Sequence, residues 1–298
     1  MAQVVNVVTE AEAARFEAFE AALAGDGKAR KTIDSYRSDW LGLARWHART
    51  GAGRFDLKAL TPAVLARFRD RCKADGLRPS TINRKLVACK RYVDWACDAG
   101  LLSDRERDAL RAVGPVPQPR RRPRGLSTDE LTRFLRVVEE QGTSRDQAIV
   151  QVLLESGLKV SELVSLHWED LQLSTRRAVI EVGRGEERRQ IAMGRPARRK
   201  LRRYLSERGE QNGALFLGER GPLTTNGVQR LVRKYCRLAN VKVSPSTLRH
   251  TFAKGFLAAS RGDLVALADL LGHECVETTR LYLQRDRRHF HEQLAAAS

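Results

Sequence analysis

Residues 244–282 read SPSTLRHTFAKGFLAASRGDLVALADLLGHECVETTRLY. The Arg249-His250 pair opens a helix, and a second, apolar helix ends in Leu271-Gly272-His273. A third helix is expected from near Glu277 and carries Tyr282. Three consecutive helices therefore gather a cation, an imidazole and a phenol. One part of that set is missing, because Ser246 stands three residues before Arg249, where a second imidazole would complete it.

Composition says what such a set would act on. The chain has 54 Lys and Arg against 36 Asp and Glu, a net charge of +18 over 298 residues. A surplus of that size speaks about partners rather than fold, and it suits a polyphosphate. A merely basic soluble protein is the plainer alternative. Hydrophobic residues make up 42 %, enough for two cores in a chain of this length. Aromatics are only 6 %, so stacking on single-stranded bases is not the expected mode. The five cysteines (Cys72, Cys89, Cys97, Cys236, Cys275) are scattered without Cys-x-x-Cys spacing, which argues against a zinc site. Free thiols fit a reducing cytoplasm. The N-terminus has no signal-peptide pattern, and no apolar run is long enough to span a bilayer.

Outward from the opening stretch the chain is mainly α-helical. Thr9 to Glu12 reads as a capping box with Phe16, Phe19 and Leu23 behind it on one face. Ile33, Tyr36, Trp40 and Leu43 continue the helical spacing after Thr32, and Thr61-Pro62 starts a further helix. The helix from Ser80 buries Ile82, Leu86, Cys89 and Val93 and shows Arg84, Lys85, Lys90 and Arg91 on its other face, with Arg78 just before it. Such a face is either a solvated surface or a phosphate-contacting one, and its single sign favours phosphate. Residues 113–125, with GPVPQPRRRPRG at 114–125, exclude helix and strand and read as a semi-stiff basic linker. Its Arg120, Arg121, Arg122 and Arg124 either follow a DNA backbone or are solvated. The expected division is thus a helical domain at 1–112 and a second domain at 126–298. In the second, Arg177–Gly183 and Arg189–Met193 are β-branched and alternating around a charged turn, which makes a hairpin. Basic helices follow at Pro196–Arg208 and Asn226–Leu238, the latter bearing Arg230, Arg233 and Lys234. The helices beginning at Ser80 and Asn226 are the candidates for reading bases.

Ser156-Gly157-Leu158-Lys159-Val160-Ser161-Glu162-Leu163, Leu248-Arg249-His250-Thr251, and Leu271-Gly272-His273 followed by Tyr282 together resemble the tyrosine recombinases, with Xer-type recombinases and phage integrases the nearest look-alikes. Any one phrase is weak; their ordered combination is specific and spans nearly the whole chain. The resemblance implies a core-binding domain and a catalytic domain that close on duplex DNA as a C-shaped clamp. It implies a tyrosine that attacks a DNA phosphate to leave a 3′-phosphotyrosyl link, and no cofactor, because the ester energy is kept in the covalent intermediate. By position Tyr282 is the nucleophile, Arg249 a phosphate-binding arginine suited to paired oxygens, and His273 the supporting histidine. His250 reads as a packing residue beside Arg249, and Glu162 as a residue that holds a nearby cation or forms an ordinary helix ion pair. Assembly into dimers and tetramers on two duplexes, a possible heteromeric recombinase partner, and a cytoplasmic, nucleoid or mobile-element setting are further implications.

Three positions depart from the family's pattern. Lys159 stands at the first arginine, keeping charge but losing the bidentate fork. Ser246 stands at the histidine of His-x-x-Arg, and serine is no proton shuttle near neutral pH. Arg184 stands at the hairpin lysine, and arginine is not deprotonated in proteins, so it is a poor general acid. Losing one preorganised donor costs roughly 3–4 kcal/mol of transition-state stabilisation. Four readings compete: a slow but active recombinase; a homologue that binds DNA without cutting it; a Lys159 introduced to stall cleavage; and, from another class, a helical DNA-binding regulator. The last has no need for Arg249, His273 and Tyr282 in this order.

Overall fold

The computed structural model describes residues 7–118, 124–183, 185, 188–209, 212–273 and 275–282. Of the residues singled out above, Arg120, Arg121, Arg122 and Arg184 lie outside the described residues. The chain divides into two compact units, Met1–Arg120 and Arg121–Ser298.

The first unit is mainly helical in its described residues, with α1 (Glu10–Gly25), α2 (Arg30–Arg49), α3 (Pro62–Ala74), α4 (Pro79–Asp98) and α5 (Asp104–Arg111), and a parallel bridge pairs Val8 with Phe55. Its core is rich in rings. Phe16 stacks on Trp40 at 4.0 Å between centroids, and Phe19 and Tyr92 pack edge-on beside them. The capping box expected at Thr9–Glu12 forms only by half. Thr9 Oγ1 accepts the Glu12 N–H at 3.2 Å, but the Glu12 carboxylate does not return to Thr9. It enters the core, where it accepts hydrogen bonds from Leu57 N–H at 2.9 Å and Tyr92 O–H at 2.8 Å. Two buried donors need an acceptor there, and that need outweighs completing the box. Burial raises the Glu12 pKa, opposed by the bonds from Tyr92, Leu57 and Arg15.

The start of the basic linker belongs to this unit. Val113 is buried in its core and Val116 packs against it. Asn83 fixes Val116 through both its N–H (2.8 Å) and its carbonyl (2.9 Å). On the far side, Leu126 N–H donates to Thr251 Oγ1 at 2.9 Å within the second unit.

The second unit centres on α7 (Ser144–Ser156), whose Ala148, Ile149, Val150, Val152 and Leu153 are all fully buried. α6 (Thr128–Gln141), α9 (Arg195–Arg208) and α11 (Pro245–Ala259) pack on it, and α10 (Thr225–Leu238), packed on α6, reaches it through the Tyr235 hydroxyl, which donates to Asp146 at 2.7 Å. Val228, Leu231, Val232 and Tyr235 form the inward stripe of α10; each such side chain contributes about 1.5–3 kcal/mol by leaving water. The expected hairpin is present as β2 (Ala178–Val182) antiparallel to β3 (Arg189–Ala192), with Ile180 opposite Ile191. A further strand, β1 (Leu171–Leu173), pairs with β2, so the sheet has three strands. Three residues are too few for β1 to show a period-2 pattern in sequence. A second, two-stranded sheet joins β4 (Leu217–Gly218) to β5 (Gly221–Pro222). The remaining helices are α8 (Val160–Ser165), α12 (Leu264–Leu271) and α13 (Val276–Arg280). Tyr282 lies just past the end of α13, in a turn whose N–H donates to Thr279 O at 3.0 Å, rather than within the helix.

Glu12→Ala should strand both the Leu57 N–H and the Tyr92 hydroxyl. At about 1–3 kcal/mol for each buried unsatisfied group, the first unit should lose roughly 3 kcal/mol. Urea unfolding followed by tryptophan fluorescence reads this, because Trp40, Trp46 and Trp95 all lie in that unit.

Candidate active site

The site grows from turns that need glycine. At the C-terminus of α7, Gly157 takes a left-handed conformation (φ 62°). A Cβ there would fall 2.4 Å from Phe252 Cδ1 and 2.9 Å from Leu271 Cδ2, so no other residue fits without movement. The turn presents the Gly157 carbonyl to Arg249, whose Nη1 donates to it at 2.7 Å. At the end of α12, Gly272 repeats the device (φ 61°). Arg189 passes against it, with Nη1 2.7 Å from where a Cβ would stand.

Arg249 is only 8 % exposed. Its Nη2 donates to Leu271 O at 2.8 Å and to His273 Nε2 at 3.0 Å. Glu162 Oε2 lies 4.0 Å from Nη1. Burial lowers the guanidinium's pKa, and Glu162 opposes the shift. Because arginine can only donate, His273 Nε2 must accept. Its Nδ1 therefore carries the proton and donates to the buried Thr279 Oγ1 at 2.8 Å. Burial, then the cations Arg249, Lys159 and Arg189, hold His273 below the usual histidine range.

Glu162 collects several partners. It accepts the Lys159 N–H at 2.7 Å, which caps α8, and its Oε1 lies 3.0 Å from Arg189 Nη2. The latter is close enough for an ion pair but is not aligned as a hydrogen bond. Arg189 Nε also donates to Leu270 O at 2.9 Å. Strand β3 is thereby tied to the end of α12 and to α8.

Lys159 and His273 line one open cavity of about 870 Å³, together with Glu162, Gly183, Arg188 and Arg189. Gly183 immediately precedes Arg184 in sequence. Tyr282, His250 and Ser246 are not part of that lining. They form a second row along α11: Tyr282 O–H is 2.8 Å from His250 Nδ1, and His250 Nε2 is 3.0 Å from Ser246 Oγ. The Tyr282 ring packs on the small apolar cluster of Ala253, Leu257, Leu267 and Leu271. Burial raises the Tyr282 pKa, with Arg249 opposing, and burial followed by the charge of Arg249 lowers that of His250. The two rows meet at the adjacent residues Arg249 and His250. Together they supply a fixed cation for an anionic oxygen, neutral imidazoles and a nucleophilic phenol. Among the described residues no group of three or more His, Cys, Asp or Glu is placed to hold a metal ion.

A family model, the Phage integrase family, matches residues 124–289, and the Phage integrase N-terminal SAM-like domain matches residues 16–100. The chain is 34 % identical over 268 residues to the tyrosine recombinase XerC of Chromohalobacter salexigens, covering 87 % of each. It belongs to the phage integrase family of tyrosine recombinases. Members of this family break and rejoin DNA in site-specific recombination. The fold agrees with two solved structures. One is the XerH site-specific recombinase bound to its palindromic difH substrate in a post-cleavage complex (TM-score 0.73, 21 % identity, 88 % of this chain and 79 % of that one). The other is a lambda integrase dimer bound to a COC′ core site (TM-score 0.67, 17 % identity, 88 % and 95 %).

Within this recombinase the expected DNA-facing cations are placed unevenly. Arg84 donates to Ser35 and to the buried carboxylate of Asp39, and Lys85 joins the same carboxylate at 3.1 Å. Lys90 donates to the carbonyls of Arg111 and Val113 at 2.8 and 2.7 Å. These three hold the first unit together. Arg78, Arg91, Arg230, Arg233 and Lys234 are exposed, Lys234 lying over the Tyr235 ring. Sequence reasoning missed Arg189, Thr279 and the partnership of His250 with Tyr282. A basic hairpin gives no sign that one of its arginines will pass beneath a glycine 83 positions later in the chain, at Gly272. Among the described residues no helix is long and apolar enough to cross a membrane.

His250 and His273 both titrate below 6.5, the ordinary histidine value, so on acidification the unfolded chain takes up protons first. Their stabilising contribution is whole above pH 6.5 and is lost as the pH falls through their lowered folded-state values. The melting temperature of the second unit should fall over that interval, and His273→Asn should flatten the slope.

Proposed function

We propose that this chain cuts duplex DNA by attack of Tyr282 on a phosphodiester, leaving a 3′-phosphotyrosyl link and a free 5′-hydroxyl, and rejoins it to a partner strand. The carrying observation is the buried Arg249, hydrogen-bonded to His273 on one side and followed in sequence by the residue that holds the Tyr282 hydroxyl. Arg249 would receive a non-bridging oxygen of the phosphate, and His273, whose Nε2 accepts from Arg249, would support it through that guanidinium. Lys159, at the mouth of the cavity, would add a point charge, and Arg184 would stabilise negative charge from the hairpin. Lys159, Arg184 and Ser246 each weaken phosphate stabilisation or proton transfer while leaving the nucleophile in place, so the enzyme is slow rather than dead. The exposed Arg78, Arg91, Arg230, Arg233 and Lys234 would contact the DNA backbone, with Arg120, Arg121 and Arg122 of the linker. Self-association on two duplexes, as dimers and tetramers, follows from strand exchange itself. A heteromeric partner that supplies the stronger catalytic set is a further possibility for an attenuated subunit.

The cognate site is to be selected from a random duplex library by the chain's own binding, then built into a nicked suicide duplex. A covalent adduct should form and vanish in Tyr282→Phe. Lys159→Arg should raise its single-turnover rate by about a hundredfold, the worth of one preorganised donor. No adduct from the unsubstituted chain or from the Lys159→Arg, Arg184→Lys, Ser246→His combination would leave a DNA-binding homologue without cleavage.

Affinity for the selected duplex should fall steeply with salt. With about six phosphate contacts the loss is roughly a thousandfold between about 50 and 200 mM. A nearly flat salt dependence would sink the backbone-contact assignment.

A further inference from the structure

Where the family places a histidine, this chain has Ser246, and one turn further along the same helix stands His250. We propose that His250 is the proton acceptor for Tyr282, held in position by Ser246, so that the proton-transfer role has moved one helical turn along α11; this rests on the cleavage chemistry proposed above.

The geometry is a short chain of hydrogen bonds: Tyr282 O–H to His250 Nδ1 at 2.8 Å, and His250 Nε2 to Ser246 Oγ at 3.0 Å. Ser246 and His250 are four residues apart, so they meet on one face of the helix. The direction of the protons follows from acidity. A phenol is a far stronger donor than a serine hydroxyl, so the better pairing sets the Tyr282 O–H on the imidazole lone pair at Nδ1. Nε2 then carries the hydrogen and donates to Ser246 Oγ. Serine cannot shuttle a proton, but here it need only accept a hydrogen bond and fix the tautomer. Arg249, the preceding residue, faces the same region with a permanent positive charge that disfavours imidazolium before attack. As the Tyr282 oxygen bonds to phosphorus, its proton passes to His250 Nδ1. The bond from phosphorus to the 5′ oxygen breaks, and that oxygen leaves with a proton from water. On rejoining, His250 returns the proton to the departing tyrosine oxygen.

The test compares two forms of the nicked suicide duplex, one with the ordinary 5′-bridging oxygen and one with sulfur there. A thiolate leaves without protonation, so sulfur relieves a defect in leaving-group protonation and does nothing for an unactivated nucleophile. His250→Asn, which keeps an acceptor near Nδ1 but no usable base, should slow adduct formation by about a hundredfold or more on both substrates. Adduct formation at the unsubstituted rate, or rescue by sulfur alone, overturns the assignment while leaving Tyr282 chemistry standing. No adduct from the unsubstituted chain overturns both. A second measurement needs no variant: ¹⁵N resonances of His250 should show Nδ1 bare and Nε2 protonated in the full chain. The opposite tautomer overturns the proposal. Ser246→Ala should mix the tautomers without unfolding the chain, which a purely packing serine would not do.

Discussion

A buried guanidinium cannot be left without partners, and the second unit is arranged around satisfying one. Arg249 is desolvated, and breaking such a set by removing a partner would strand an uncompensated charge. Its two backbone acceptors, Gly157 O and Leu271 O, come from the ends of α7 and α12, and its side-chain partner His273 follows α12 by two residues. Those helix ends are the places where carbonyls have no partner within their own helix. Arginine suits the task because one planar fork reaches several acceptors at once. The same contacts that hold the charge also set the imidazole tautomer of His273. Holding the buried charge and orienting His273 are therefore one interaction seen twice.

Arg189 acts as a strut for this arrangement. It joins the Leu270 carbonyl and Glu162, and it occupies the space that any side chain at position 272 would need. The carboxylate of Glu162 lies between two cations and also caps α8, on which Lys159 sits at the entrance. A hairpin, two helix ends and a short helix are thus locked to one another by charge-assisted contacts rather than by apolar packing alone.

Much of this was legible in the chain. Apolar periodicity placed the helices, and β-branched alternation placed β2 and β3. The phrases around Lys159, Arg249, His273 and Tyr282 located the family. What sequence could not carry is anything set by approach between distant segments. Glu12 looks like a capping residue because its own neighbours say so, yet two donors from Leu57 and Tyr92 draw it inward. Arg84, Lys85 and Lys90 look like a phosphate-facing stripe because charge periodicity cannot reveal that Asp39 and the carbonyls after α5 lie opposite. His250 looks like a packing residue because the tyrosine it meets is 32 positions away.

Tyr282 rests on an apolar cluster of its own, built from four buried residues of α11 and α12 and separate from the large core around α7. The Tyr282 ring is therefore mounted on a small foundation of its own, tied to the rest of the unit at Leu271, whose carbonyl accepts from Arg249. Substitutions at Ala253, Leu257 or Leu267 would thus shift the Tyr282 ring more than the contacts of Arg249.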